Sequence, residues 1–237
     1  MRKVGIVVAM VAEAETLVKG PFKPGPFIPL EGGGMLTVSG IGAKRAQIAA
    51  KALLEQGAMA LVSWGTAGGL IPELSPGCLV LPRTILTVGR SVYAADPLWH
   101  ERLWGRLKEK VNLHVGLLAE STAVLVSRKD KEALFSRTNA IAVDMESAAV
   151  AAVATHAQVP FIAIRAISDT VDASLPLIAL KAFDKFGQWN RWKLLRGLLR
   201  HPEEILAWMH LTRQLRGALS TLVAVRQMSG ESLMLPE

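Results

Sequence analysis

Short apolar runs alternate along the chain with segments in which apolar residues recur at helical spacing. The apolar runs predict strands over residues 4–10, 36–39, 60–64, 78–86, 114–118, 141–143 and 161–166. Between them, the spacing predicts helices over residues 43–56, 98–110, 129–137 and 146–156. This alternation is typical of an α/β fold with a central mixed, largely parallel twisted sheet flanked by helices.

Length and composition favour a single α/β domain followed by an appendage. The chain has 237 residues, of which 51% are hydrophobic, enough for one sizeable core. Residues 20–34 read GPFKPGPFIPLEGGG, and this density of Pro and Gly predicts a surface loop or an edge hairpin. Since the composition changes after Asp172, we expect an α/β domain over residues 1–176 and a helical C-terminal extension over residues 177–237.

The C-terminal extension is basic and amphipathic. Between Lys181 and Arg226 it carries nine basic and three acidic residues, which is +6 of the chain's net charge of +7. Trp189, Trp192 and Trp208 lie in the same segment, whose apolar residues recur at helical spacing. Such a segment suits contact with an anionic membrane surface, but it equally suits packing on the protein's own core or on a partner subunit.

Several classes of protein are disfavoured by the remaining composition. Cys78 is the single cysteine, so neither an internal disulfide nor a cysteine metal cage can form. The five histidines show no metal-ligand spacing, and we predict no metal site. The apolar start of the chain is followed at once by Glu13 and Glu15, which favours a buried strand over a signal peptide. No apolar run reaches the roughly 20 residues of a spanning helix, so we expect a cytoplasmic protein.

A glycine-rich segment, SWGTAGGL, follows the predicted strand over residues 60–64. Gly65, Gly68 and Gly69 let the backbone come close to a ligand, and Thr66 adds a hydroxyl group. A loop at the carboxyl end of a strand is where α/β sheets bind anions or sugar hydroxyls. The alternative is a tight turn without a ligand.

Acidic side chains follow three of the predicted strands. Glu13 comes after the first strand, Glu146 after residues 141–143, and Asp169 after residues 161–166. Strand-end carboxylates in such sheets often face the ligand cleft. For Asp144 and Glu146, a simple favourable interaction with the helix N-terminus is an equally good explanation.

Five motifs, taken together, resemble one enzyme family. GIVVAMVAEAE, SGIG, WGTAGGL, VDMES and RAISD occur in the order found in the purine nucleoside phosphorylase and methylthioadenosine/S-adenosylhomocysteine nucleosidase superfamily. The sequence PFIAIRAISD, then SLP, an Arg-rich stretch and RHPEEILAWMHLTRQLRGAL resemble the hopanoid-associated phosphorylase branch, whose members carry this kind of extension.

The resemblance implies a role for each acid in cleaving an N-glycosidic bond. Asp169 would protonate or hydrogen-bond purine N7, and Glu146 would accept hydrogen bonds from the ribose hydroxyls. Glu13 would orient or deprotonate an attacking water, while Asp144 is expected to be a structural neighbour. The further substrate-binding residues that the resemblance implies are Gly65, Thr66, Gly68, Val124, Leu125, Met145 and Ser168.

The sequence indicates which bond is cleaved more clearly than it indicates whether phosphate or water accepts the sugar. A carboxylate at Glu13 disfavours a phosphate dianion unless a cation intervenes. Phosphorylases of the superfamily place an arginine just before the glycine segment, whereas this chain has Ser63 and Trp64 there. Arg45, Arg90 and Arg165 are candidates to replace it.

The leading hypothesis is cleavage of an adenosine-type nucleoside with a bulky apolar 5′ substituent, adenosylhopane by resemblance, with inorganic phosphate as co-substrate and no other cofactor. The alternative is a methylthioadenosine/S-adenosylhomocysteine or futalosine nucleosidase that uses water. A non-catalytic nucleoside- or nucleic-acid-binding module is a third hypothesis, but no nucleic-acid motif accompanies the basic charge. We therefore expect no nucleic-acid partner, a lipid-linked or small-molecule nucleoside as substrate, peripheral membrane contact through the extension, and a homodimer or larger homo-oligomer.

Overall fold

The fold is taken from a computed structural model. It describes residues 3–20, 25, 27–173, 175–176, 178, 182–188, 190–230 and 233–236, with Arg191 described by its backbone alone. Lys181 and Trp189 of the predicted extension lie outside the described residues.

Within the described residues, eleven strands form one mixed sheet. Their bounds are β1 Val4–Val8, β2 Ile28–Pro29, β3 Met35–Val38, β4 Ala60–Gly69, β5 Leu79–Val80, β6 Thr84–Leu86, β7 Val92–Ala94, β8 Leu113–His114, β9 Leu117–Glu120, β10 Ala142–Asp144 and β11 Phe161–Asp169.

The long strand β4 lies at the centre of this sheet. It pairs in parallel with β1 on one side and with β11 on the other. Its last two residues, Gly68 and Gly69, pair antiparallel with β10, which continues in parallel to β9. A second arm runs from β11 through β5 to β8. The predicted mixed, largely parallel sheet is confirmed.

Helices cover the sheet, and the sequence marks several of their ends. The helices are α1 Val11–Ala14, α2 Ala43–Glu55, α3 Pro97–Leu107, α4 Arg128–Thr138, α5 Ser147–His156, α6 Arg191–Arg200 and α7 Ile205–Ser229, with a 3₁₀ turn over Pro202–Glu204. Asp96 caps α3 by accepting a 2.8 Å hydrogen bond from the Trp99 amide. Asn139 ends α4 in the left-handed conformation. The four predicted helices correspond to α2, α3, α4 and α5.

Three predicted strand boundaries were wrong for identifiable reasons. The strand predicted to end at Trp64 runs on to Gly69, because β11 continues beside it and pairs with its glycines. The run over 78–86 divides into β5 and β6 around Pro82, which has no amide hydrogen to donate to a ladder. The run over 114–118 divides into β8 and β9 at Gly116, where a Cβ atom would meet Ile141 at 2.6 Å.

The Pro- and Gly-rich segment contains the predicted edge hairpin. Strand β2 pairs antiparallel with β3 at one end of the sheet. Residues 21–24 and 26 of this segment lie outside the described residues.

The C-terminal helix α7 is partly built into the core. Ala218, Leu222 and Val225 are fully buried in the same cluster as the sheet residue Ile164. The Thr221 hydroxyl donates a 2.7 Å hydrogen bond to the Gly77 carbonyl. The second half of α7 therefore packs on the protein's own core, one of the two alternatives for this segment. Across the ranges that the structure covers, no helix is long and apolar enough to cross a bilayer.

Candidate active site

One cavity of about 200 Å³ opens where β1, β4, β9, β10 and β11 end. It brings together residues that are more than a hundred positions apart in the chain. All three predicted catalytic acids line it, together with most of the predicted binding residues: Glu13, Thr66, Gly68, Val124, Leu125, Met145, Glu146, Ser168 and Asp169. The predicted binding residue Gly65 does not line the cavity.

Glu13 ties the end of β1 to the middle of β4. Its Oε2 accepts 3.0 Å hydrogen bonds from the amides of Ala9 and Met10, closing the turn into α1. Its Oε1 accepts from the Thr66 amide at 2.8 Å and from the Thr66 hydroxyl at 3.1 Å. Burial raises the pKa of the Glu13 carboxyl, while Arg165 and the donors at Thr66 and Met10 oppose the rise.

Gly65 makes room for this carboxylate. A Cβ atom at this position would lie 2.5 Å from Glu13 Oε1 and would also overlap the guanidinium of Arg165. The role of Gly65 in substrate binding stays a prediction from sequence. The glycine is required because the Glu13 and Arg165 side chains meet above its Cα atom.

Glu146 lies on another wall of the cavity and precedes α5. Its Oε1 accepts a 2.7 Å hydrogen bond from the Gly42 amide, which belongs to the predicted motif SGIG. Burial, followed by the nearby charge of Asp144, raises the pKa of Glu146 from 4.5 to about 7, although Arg165 lowers it. Glu146 therefore changes its charge near neutral pH.

Asp144 and Arg165 form a buried ion pair beneath the cavity. Arg165 Nη2 lies 2.7 Å from Asp144 Oδ2, and both side chains are 1% exposed. Arg165 also donates to the Ser63 hydroxyl at 2.6 Å, and the Ser147 amide and hydroxyl donate to Asp144. The prediction of a structural role for Asp144 agrees with this network, although its carboxylate also borders the cavity.

A β-bulge directs Asp169 into the cavity. Along β4 and β11, Ile167 is paired with Ala67, but Gly68 is paired with Asp169, so Ser168 is the extra residue. The Ser168 hydroxyl donates a 2.9 Å hydrogen bond to Asp169 Oδ1. Both side chains consequently border the same space.

Sequence reasoning missed Lys131, a buried lysine on α4. Its Nζ lies 2.5 Å from Asp169 Oδ2, and its side chain is 1% exposed. The surrounding sequence, SRKDKEALFSRT, is typical of a solvated helix because four of its residues are basic. The helical spacing of Lys131 to Leu134, which is also buried, is the only local signal of an inward face.

Part of the cavity lining is apolar. Met10, Ile41 and Phe183 contribute to it, and Leu211 and Leu215 come from α7. The C-terminal helix thus completes the cavity as well as the core.

The cavity offers little for an anion. Among the described residues that line it, Lys131 is the one basic residue. Arg45 and Arg90 are exposed and lie outside the lining, and Arg165 is buried behind it. In the described parts of the chain, no group of three His, Cys, Asp or Glu residues is arranged to hold a metal ion.

Fold and cavity together define an α/β protein with acidic side chains in a cavity at its strand ends, where such folds bind ligands. The chain belongs to the Phosphorylase superfamily, whose profile matches residues 3–199. It is 25% identical over 170 residues to 5′-methylthioadenosine/S-adenosylhomocysteine nucleosidase of Staphylococcus epidermidis, covering 64% of this chain and 75% of that protein. The chain is thus an enzyme of the nucleosidase and nucleoside phosphorylase class.

Solved structures share the fold at lower identity. Futalosine hydrolase of Helicobacter pylori superposes with a TM-score of 0.70 at 21% identity, covering 94% of each chain. The Neisseria meningitidis 5′-methylthioadenosine/S-adenosylhomocysteine nucleosidase, in complex with methylthio-immucillin-A, also gives 0.70 at 21% identity, covering 94% of this chain and 96% of that one. These relatives are nucleosidases, and the likeness to the hopanoid-associated branch stays a prediction from sequence.

Proposed function

We propose that this enzyme hydrolyses the N-glycosidic bond of an adenine nucleoside, using water and releasing adenine. The observation that carries the proposal is the composition of the cavity wall. Four carboxylic side chains line it, of which Asp169 is paired with Lys131 and Asp144 with Arg165, so both nearby cations are already engaged. A phosphate dianion in this cavity would meet like charge without a free cation among the described residues that line it. Water meets no such opposition.

Glu146 and Met145 form the ribose end of the proposed site. An ionised Glu146 has acceptor capacity beyond its hydrogen bond from Gly42 and would accept from the ribose hydroxyls. Met145 is half-buried beside it and would pack beneath the sugar.

Glu13 is the proposed base for the attacking water. Its four hydrogen bonds fix both carboxylate oxygens, so a water held there would attack from a defined direction. The raised pKa of Glu13 makes this carboxylate a better proton acceptor than an ordinary one. In the reaction, the C1′–N9 electron pair stays with the base, and the water oxygen bonds to C1′ while Glu13 takes its proton.

Asp169 and Ser168 form the proposed base end, where a purine N7 would be bound. Val124 and Leu125, which also line the cavity, would pack beside the purine ring. The apolar side made by Ile41, Leu211 and Leu215 would take the 5′ substituent. A 5′-alkylthio group fits that wall better than a charged group does.

Adenine release from a panel of nucleosides tests the proposal. Methylthioadenosine, S-adenosylhomocysteine, futalosine and adenosine are compared in phosphate-free buffer and with added phosphate. We expect release from a 5′-thioadenosine at a rate that phosphate does not increase. Release that requires phosphate, or no release from any nucleoside, would contradict the proposal.

Phosphorolysis of adenosylhopane is the second candidate, and the apolar side of the cavity favours it. Leu175 and Leu211 border both the main cavity and a neighbouring groove lined by Leu206, which is 78% exposed. A long apolar 5′ chain could leave the site along this path. This candidate predicts phosphate-dependent adenine release and a marked preference for long apolar 5′ groups.

We also propose that helix α6 contacts an anionic bilayer. Trp192, Leu195 and Leu199 are exposed at spacings of three and four residues, and Trp192 and Leu199 are 81% and 75% exposed. Lys193, Arg196 and Arg200 form a parallel basic stripe beside them. This pairing of an apolar and a cationic stripe complements a bilayer rich in anionic lipid.

Sedimentation with vesicles of phosphatidylglycerol and phosphatidylcholine tests this contact. The variant Trp192→Ser/Leu199→Ser should bind at least tenfold more weakly, whereas the control Val88→Ser, an exposed apolar residue elsewhere, should bind normally. The proposed membrane contact is contradicted if wild type and both variants bind vesicles equally. It is also contradicted if α6 instead mediates self-association of the protein without vesicles.

A further inference from the structure

Lys131 is a buried cation to which the proposed reaction gives no role. Its ammonium group donates to Asp169 Oδ2 at 2.5 Å, to the Thr170 carbonyl at 2.6 Å and to the Ala173 carbonyl at 3.3 Å. These three acceptors use all three of its N–H groups. A lysine side chain is almost never fully buried unless it is paired, and Lys131 meets this condition through these three acceptors.

The same contacts fix the Asp169 carboxylate. Oδ2 is held by Lys131, and Oδ1 accepts from the Ser168 hydroxyl at 2.9 Å. The two donors come from different elements, one from α4 and one from the bulge in β11. Lys131 also anchors the backbone that follows the strand, through Thr170 and Ala173.

We infer that Lys131 is a positioning residue for the base end of the site, an inference that rests on the proposed function. Lys131 holds the Asp169 carboxylate in the orientation that accepts a hydrogen bond from the N7–H of the departing purine. As the C1′–N9 bond breaks, its electron pair stays on the base, and N7 takes a proton from solvent water. Glu13 later returns to solvent the proton that it took from the attacking water, so the protons balance.

The orientation of Asp169 is then part of the catalyst, and it depends on Lys131. Removal of the ammonium group leaves Oδ2 of this buried carboxylate without its donor.

A double-mutant cycle tests whether Lys131 acts through Asp169. Lys131→Met keeps most of the side-chain volume, and we expect kcat to fall about 100-fold, because loss of positioning near reacting atoms has effects of this size. KM should change far less. In an Asp169→Asn background, Lys131→Met should lower kcat no further, and the double variant should fold at least as well as Asp169→Asn alone, because no buried charge is left unpaired. Lys129→Met, an exposed neighbour on α4, is the matched control.

Chemical rescue is a second test. An added amine would not restore activity if the role of Lys131 were purely structural. Lys131→Ala leaves space for a small amine, and Lys131 borders the cavity, so ethylammonium has a path to the site. We expect ethylammonium to restore kcat at least tenfold in Lys131→Ala and not in Lys131→Met, where the methionine fills the space.

The inference is overturned if Lys131→Met keeps kcat within threefold of wild type, or if it lowers kcat equally in the wild-type and Asp169→Asn backgrounds. If Lys131→Met fails to fold, the folded double variant and the rescue of Lys131→Ala decide the question. Failure of the proposed function is distinguishable, since the wild-type enzyme itself would then release no adenine without phosphate.

Discussion

Replacing Arg165 with Met removes the cation on which the buried acids of the site depend. Arg165 bonds to Asp144 at 2.7 Å, and its charge lowers the pKa values of Glu13 and Glu146. Breaking a buried ion pair by removing one partner destabilises a protein by about 3–5 kcal/mol. Because both side chains of this pair are 1% exposed, solvent does little to screen them, and we expect Arg165→Met to fall in that range.

Asp144→Asn should relieve part of this loss, because it removes the acid that Arg165→Met leaves unpaired. We expect the double variant to be more stable than Arg165→Met, and the coupling energy of the full double-mutant cycle to be about 0.5–3 kcal/mol, the usual range for contacting residues. Urea unfolding at fixed pH, followed by tryptophan fluorescence, gives these free energies. Arg102→Met, at an exposed position on α3, should stay within about 0.5 kcal/mol of wild type.

The same variant has a second signature in its pH dependence. Without Arg165, the pKa values of Glu13 and Glu146 should rise further, so the acid limb of the rate profile should move to higher pH. The reasoning is refuted if Arg165→Met unfolds within 1 kcal/mol of wild type, or if it remains active with an unmoved acid limb.

Three further changes test single side chains. For Glu146, activity should rise as pH increases through about 7. Glu146→Gln should lower kcat/KM about 10–100-fold, since hydrogen bonds to a charged group contribute about 1.5–3 kcal/mol. Because the pKa of Glu146 is raised from 4.5 to about 7 in the folded protein, its protonation stabilises the fold below pH 4.5, and this stabilisation is lost as pH rises through about 7. Glu146→Gln should therefore be more stable than wild type at pH 8 in urea unfolding. Glu13→Gln should lower kcat by about 10²–10⁴ in steady-state assays without abolishing nucleoside binding, because an amide cannot accept the proton of water. Gly65→Ala should displace Glu13 and lower kcat at least tenfold, whereas Gly105→Ala, in open space within α3, should raise stability by about 0.5–1 kcal/mol in thermal melts.

The sequence predicted the sheet and its flanking helices because buried strands and amphipathic helices leave strong local patterns. It also predicted that Glu13, Glu146 and Asp169 would meet. For Glu13 and Asp169 the reason holds, because β1 and β11 both run parallel to β4 and end at one edge, whereas β10, which precedes Glu146, pairs antiparallel with the end of β4. The continuation of β4 through its glycines was not predictable from local pattern. It depends on β11 lying alongside, and glycines by themselves favour a turn.

The larger omission from the sequence predictions was the ion pair between Lys131 and Asp169. Lys131 and Asp169 are 38 residues apart, and the only local signal that separates Lys131 from its exposed neighbour Lys129 is its helical spacing to the buried Leu134. Gly65 illustrates a related limit. Sequence indicates that a glycine is needed there, but the fold shows that its purpose is to admit the Glu13 and Arg165 side chains.

Product analysis by ³¹P NMR tests most directly whether the carboxylates at the strand ends activate water. The enzyme is given methylthioadenosine in phosphate buffer, and adenine is measured in parallel. The account predicts adenine release with no sugar phosphate formed. One ribosyl 1-phosphate for each adenine released would contradict it.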